Sequence, residues 1–153
     1  MIRQINFGMG AGLALMLSGV LLSGCEATQT DRPPQIRYGE QPCASCHMLI
    51  SEERFAAAVA TSGGTIELFD EIGCLLDYRT RHPGSVARTW VHDYGSGQWL
   101  DAEHAFFVHS DELATPMGHG VVAFATQEAA KQLAQTAHGI VVRFHQLIEE
   151  ERS

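Results

Sequence analysis

Apolar and polar positions along this chain alternate with two periods, and the order in which they do so occurs twice. Phe55–Ala60 is a short apolar run with strand character, Ser62-Gly63-Gly64 supplies a hairpin turn, and Thr65–Phe69 reads as the partner strand. Asp70 stands where an N-cap belongs, ahead of a helix predicted from Glu71 to about Arg81 with Ile72, Leu75, Leu76 and Tyr78 on its apolar face. Pro83-Gly84 stops that helix, and Val86–His92 returns as a strand. The second pass places strands at Ala105–Val108 and Val121–Ala125, joined by a loop that carries Met117. Thr126 caps a helix from Gln127 to about Ala137, Gly139 ends it, Ile140–Phe144 is a strand, and a short helix reaches about Glu151.

The two predicted caps, Asp70 and Thr126, lie 56 positions apart, and the two glycine stops, Gly84 and Gly139, lie 55 apart. Residue identity between the halves is weak, so the repeat is one of pattern. The expected fold is α+β: two tandem ββαβ units, at about residues 53–93 and 104–148, packed through antiparallel sheets within a domain over residues 41–150.

The N-terminus departs from this pattern. Residues 1–7 carry one charged side chain, Arg3, and an apolar run of Gly8 to Leu22 follows. That run is short for a bilayer span and right for a signal-peptide core, although an uncleaved anchor helix would read similarly. It ends in Leu22-Ser23-Gly24-Cys25, the pattern of a bacterial lipoprotein cleavage site. Residues 1–24 are therefore expected to be a signal peptide and Cys25 the lipidated residue, with the rest of the chain held outside the cytoplasm. Residues 25–40, polar and containing Pro33-Pro34, read as a flexible tether.

With 45% apolar and 18% charged residues, the remainder is globular rather than disordered. The net charge of −8 becomes −9 when Arg3 leaves with the signal peptide. Such a surface argues against a nucleic-acid partner, because phosphate backbones select basic faces.

Sulfur carries the chemistry. Once Cys25 takes a lipid, three Cys remain (Cys43, Cys46 and Cys74), an odd number that a disulfide framework explains poorly. Three of the five Met leave with residues 1–24. The two survivors each stand beside a His in a turn-like segment: Cys43-Ala44-Ser45-Cys46-His47-Met48 and Pro116-Met117-Gly118-His119. Thiolate and thioether together select a soft cation, and Cu(I) is the soft cation that accepts few ligands. Zinc sites are built from Cys, His and carboxylate, so Met discriminates against zinc, though Cys43, Cys46, His47 and His119 would be a formal zinc set.

Two other readings use the same residues. Cys43-Ala-Ser-Cys46-His47 matches the attachment string of a c-type haem, with Met117 available as an axial ligand, which would make an electron-transfer protein. A Cys-x-x-Cys pair also serves thiol-dependent redox enzymes, a lyase or disulfide reductase among them, but there it opens a helix after a strand, whereas here Pro42 precedes it and a hairpin follows. Cys74, on the apolar face of the first helix, reads as a buried structural thiol, and Trp90 and Trp99 as core. His82, His92, His104, His109, His138 and His145 read as surface or half-buried residues without a ligand role. No nucleophile–base pair or phosphate loop has motif support, so the chain is expected not to be an enzyme.

Three ordered blocks resemble the NosL family. Cys43-Ala-Ser-Cys46-His-Met48-Leu-Ile50 running into Arg54-Phe55-Ala56-Ala57 looks like that family's opening, Phe69-Asp-Glu-Ile-Gly-Cys74 like its next block, and Thr115-Pro-Met117-Gly-His119-Gly120 with Val121–Phe124 like its third. The resemblance covers about residues 38–148. It implies a pair of ββαβ units and a lipoprotein on the periplasmic face of a bacterial membrane. It further implies a carrier of Cu(I) for the copper centres of nitrous oxide reductase, acting with a membrane ABC-type maturation complex. By the same resemblance Cys46 and Met117 are the foremost ligands, Cys43 and Met48 the next, and His47 stands where family members vary, often with Gly.

Overall fold

A computed structural model describes residues 29–150. The expected signal peptide and the lipidation site Cys25 lie outside them. The order is β1 (Ala57–Thr61), β2 (Ile66–Phe69), α1 (Ile72–Arg81), β3 (Val86–His92), β4 (Trp99–Asp101), β5 (Phe106–His109), β6 (Val121–Phe124), α2 (Gln127–Thr136), β7 (Ile140–Arg143) and α3 (Phe144–Glu150). None of the described helices is long and apolar enough to cross a membrane.

The architecture is α+β, with two antiparallel sheets of order β2-β1-β3-β4 and β6-β5-β7. In each half the first strand lies in the middle, between its hairpin partner and the strand that follows the helix. The repeat of pattern in the sequence is thus a repeat of topology. β4, unexpected from sequence, extends the first sheet through pairs such as Val91 with Leu100. The three-residue strand Trp99–Asp101 is too short to show a period.

β1 is buried on both faces from Ala57 to Ala60 because three of its four side chains are Ala, which let neighbouring layers come close. One core joins the halves: Phe69, Ile72 and Leu75 from the first pack with Val121, Ala123 and Phe144 from the second. α1 lies against β1 and β2 and also reaches β6 and α3, so it sits where the halves meet. α2 instead covers its own sheet, with Ala130 and Ala134 on a smaller cluster around Val108, Val122 and Phe124.

Asp93, just after β3, ties the two sheets. It forms a parallel bridge with Ala123, and its carboxylate accepts from the amides of Ala125 (2.7 Å) and Ser96 (2.8 Å). Burial alone would raise this carboxyl, but the bonds from Ala125, Ser96 and Gly95 outweigh it and hold it below the usual range.

Within the expected tether, Ile36 and Tyr38 already pack against the core, and the Gly39 amide donates to the Ile50 carbonyl at 2.8 Å. The expectation for Asp70 is corrected. The N-cap of α1 is Glu71, without a side-chain cap bond, and Asp70 instead accepts from the Ser51 amide at 3.0 Å. Thr126 caps α2 as expected, accepting from the Ala129 amide at 3.3 Å. Trp90 is buried, while Trp99 is only half-buried and packs at a tilt against His92, itself buried rather than at the surface or half-buried.

A candidate metal centre of three sulfurs

Residues 41–51 form a closed loop. Pro42 and Leu49 bridge its ends, the Cys43 amide donates to the Met48 carbonyl (2.8 Å), and the His47 amide donates to the Cys43 carbonyl (3.0 Å). Turning the chain that tightly puts His47 at φ 63°, a left-handed value that Gly adopts more easily. The Ala44 amide pins the loop to the carbonyl of Leu68 in β2, at 2.8 Å. Cys43 is thereby driven into the core at 0% exposure, while Cys46 stays half-buried and His47 and Met48 face out, Met48 at 59% exposure.

The third sulfur comes from α1. Cys74, in the first turn and 1% exposed, meets the other two, and all three Sγ atoms lie within 4.8 Å of one another. The sequence predicts a structural thiol at Cys74; its position in the first turn, facing the loop, instead makes it a member of the cluster. Position alone could not reveal this, since an apolar-face thiol is a good core residue on its own.

Close thiols do not share charge equally. The Cys74 thiol donates to Cys43, which lowers the Cys43 pKa to about 5 against the opposing effect of burial; the amides of Cys46, Asp70 and Ser45 add to the lowering. Donating that proton, together with burial, pushes Cys74 far up. Burial also raises Cys46. Before any ion arrives, the cluster therefore holds one thiolate, buried against the start of α1.

The second Met segment reaches the same helix end from the other half. Buried Glu71 accepts from the Met117 amide (3.0 Å) and the His119 amide (3.4 Å), and its carboxylate also meets His119 Nδ1. Met117 projects at 45% exposure. The ring of His119 lies directly over Gly73, where a Cβ would overlap it. Cys43, Cys46, Cys74, Met117 and His119 thus converge on one turn, Glu71–Cys74. No hydrogen bond or ion pair joins His47 to this turn among the described residues.

This geometry does not fit a c-type haem, which needs both thiols presented to the edge of a macrocycle; Cys43 is enclosed in the core beside Phe69 and Cys74. Nor does the Cys pair open a helix in the manner of a thioredoxin-type site, since it closes a loop bridged at Pro42 and Leu49.

A family model described as NosL matches residues 35–152. The copper-binding lipoprotein NosL of Stutzerimonas stutzeri is 27% identical over 155 residues, an alignment that takes in 93% of this chain and 81% of that protein. The crystal structure of the copper chaperone NosL from Shewanella denitrificans shares the fold at TM-score 0.66 and 20% identity, covering 74% of this chain and 96% of the other.

Proposed function

Because this chain belongs to the NosL family, we propose that it is a copper carrier that holds Cu(I) on sulfur. The observation that carries this reading is the convergence of three thiol sulfurs within 4.8 Å, with Met48 exposed on the loop that supplies Cys43 and Cys46 and Met117 exposed on the loop held by Glu71. A soft monovalent ion suits a soft site, and the single thiolate on Cys43 offers a matching charge from the outset. Cys46 and Met117 are the foremost ligands, Cys43 and Met48 follow, Cys74 joins them from α1, and His119 and His47 are the candidate nitrogen donors.

The division between buried thiols and exposed thioethers suits delivery. Cys43 and Cys74 sit where solvent does not reach, and Cys46 and Met117 sit at the mouth, where an acceptor's ligands can replace them one at a time. Copper is cargo here, exchanged rather than chemically turned over, so the protein acts as a carrier and not as an enzyme. The relatives bear names of the same kind, a copper-binding lipoprotein and a copper chaperone. In the full reading, lipid on Cys25 tethers the chain to the periplasmic face of a bacterial membrane, and the copper goes to nitrous oxide reductase through its ABC-type maturation complex.

An anaerobic competition titration with a coloured Cu(I) chelator tests this, using the Cys25→Ser protein without residues 1–24. One tight Cu(I) per chain is expected, weakened by Cys46→Ser and by Met117→Ala, and less by Met48→Ala. Failure to compete for Cu(I) at all would overturn the carrier reading, and equal losses for the two Met variants would overturn the ligand ranking.

A further inference from the structure

Glu71 is 1% exposed, and a carboxylate so enclosed is costly unless several donors satisfy it. Here the donors come from one loop of the other half: the Met117 amide to Oε2, the His119 amide to Oε1, and the His119 ring through Nδ1. As the N-cap residue of α1, Glu71 would be well placed to cap its own helix, yet its side chain makes no such bond. The carboxylate points away from the helix that carries it, toward a loop 46 to 48 residues further on.

A second feature of the same turn serves the same ring. Gly73 leaves the space in which the His119 imidazole rests, and any side chain there would overlap it. Inside a helix Gly is otherwise less favourable than Ala. The first turn of α1 thus presents a carboxylate, a seat for a ring and the Cys74 sulfur at three of four consecutive positions.

We infer that Glu71 is the positioning residue of the copper site: it fastens the Met117–His119 loop to the turn that carries Cys74 and fixes His119 with its proton on Nδ1, which leaves Nε2 as the ring nitrogen able to take copper. A carboxylate accepts and cannot donate, so the ring nitrogen that meets it carries the hydrogen and the other keeps its lone pair. Carboxylate-to-imidazole bonds of this kind orient and strengthen metal-binding His residues, and losing them costs roughly 10–100-fold in metal affinity. Glu71 itself does not touch the ion. The inference rests on the copper-carrier reading for its consequence, though not for its geometry.

The test uses the full-length lipoprotein in detergent with two readouts. In copper-free protein, nitrogen chemical shifts of the His119 ring report the tautomer: Nδ1–H is expected in the parent and a mixture in Glu71→Gln. In Cu(I) competition, Glu71→Gln and His119→Ala should each weaken binding roughly 10–100-fold, and the double variant no further than His119→Ala alone. Gly73→Ala displaces the ring while leaving the carboxylate intact; it should reproduce the loss, and it keeps the test open should Glu71→Gln fail to fold. An unchanged tautomer in Glu71→Gln, unchanged affinity in both Glu71→Gln and Gly73→Ala, or losses that add in the double variant would overturn the inference. If the parent itself bound no Cu(I), the carrier reading would fall, while the copper-free tautomer would still decide whether Glu71 sets the ring.

Discussion

The starts of α1 and α2 occupy equivalent places in the two halves, and they are built on opposite principles. α2 begins at the surface, where Thr126 accepts from the amide of Ala129 three residues on, a local solution contained in four residues. α1 begins in the interior, where all residues from Ile72 to Leu76 are buried, and its N-cap side chain is turned elsewhere. There the thiol of Cys43, from 27 residues upstream of Asp70, lies against Cys74 in the first turn and is held low chiefly by the Cys74 thiol, with backbone amides adding to the effect. A helix that only has to form can be capped by its own sequence. A helix that builds a site gives its polar ends to other segments, and local rules fail at that point.

The largest effect that would sharpen this comparison is in the thiols. In copper-free protein, ultraviolet thiolate absorbance should show one of the three domain thiols titrating with a pKa of about 5, against an ordinary 9.0. Cys74→Ala should move that step upward by removing the donor. Since the folded pKa is lowered, the stabilisation is present above the ordinary thiol value and is lost as pH falls through about 5. Three thiols all titrating near 9.0 would dissolve the contrast between the two helix starts.

Asp93 tests whether the halves depend on one another. Replacing it with Ala removes the acceptor shared by the amides of Gly95 and Ser96 after β3 and of Ala125 after β6, and should cost about 3 kcal/mol in urea unfolding, in a single transition. Two separate transitions, or a change near zero, would mean the halves stand apart. Its carboxyl is held low, so its stabilising contribution is present at neutral pH and lost as pH falls through that lowered value.

The smallest effect belongs to the ordinary cap. Thr126→Ala should cost about 1 kcal/mol in the same unfolding experiment and leave Cu(I) affinity unchanged, because α2 begins away from the sulfurs. A loss of Cu(I) affinity in this variant would mean that the two helix starts are coupled.

Much of the fold is legible along the chain because it rests on short-range physics. The hairpin turn at Ser62–Gly64, the stops at Gly84 and Gly139 and the Thr126 cap each depend on a few neighbouring residues, and the apolar period reports which face of each element turns inward. β4 escaped because three residues carry no period. Asp70 misled because an acidic residue before an apolar helix reads as a cap whether or not its carboxylate is needed elsewhere, here by Ser51.

The sequence by itself determined the elements other than β4, their doubled order, the sulfur-rich composition and the two Met-bearing segments, since each follows from propensity, periodicity or residue chemistry. Only the tertiary structure decided that Cys74 joins Cys43 and Cys46, 31 and 28 positions away, and that Glu71 answers a loop 48 residues downstream. Those pairings depend on how two halves pack across α1. A buried carboxylate or thiolate takes whichever donors the packing brings to it, and nothing within a few residues of Glu71 or Cys74 names them.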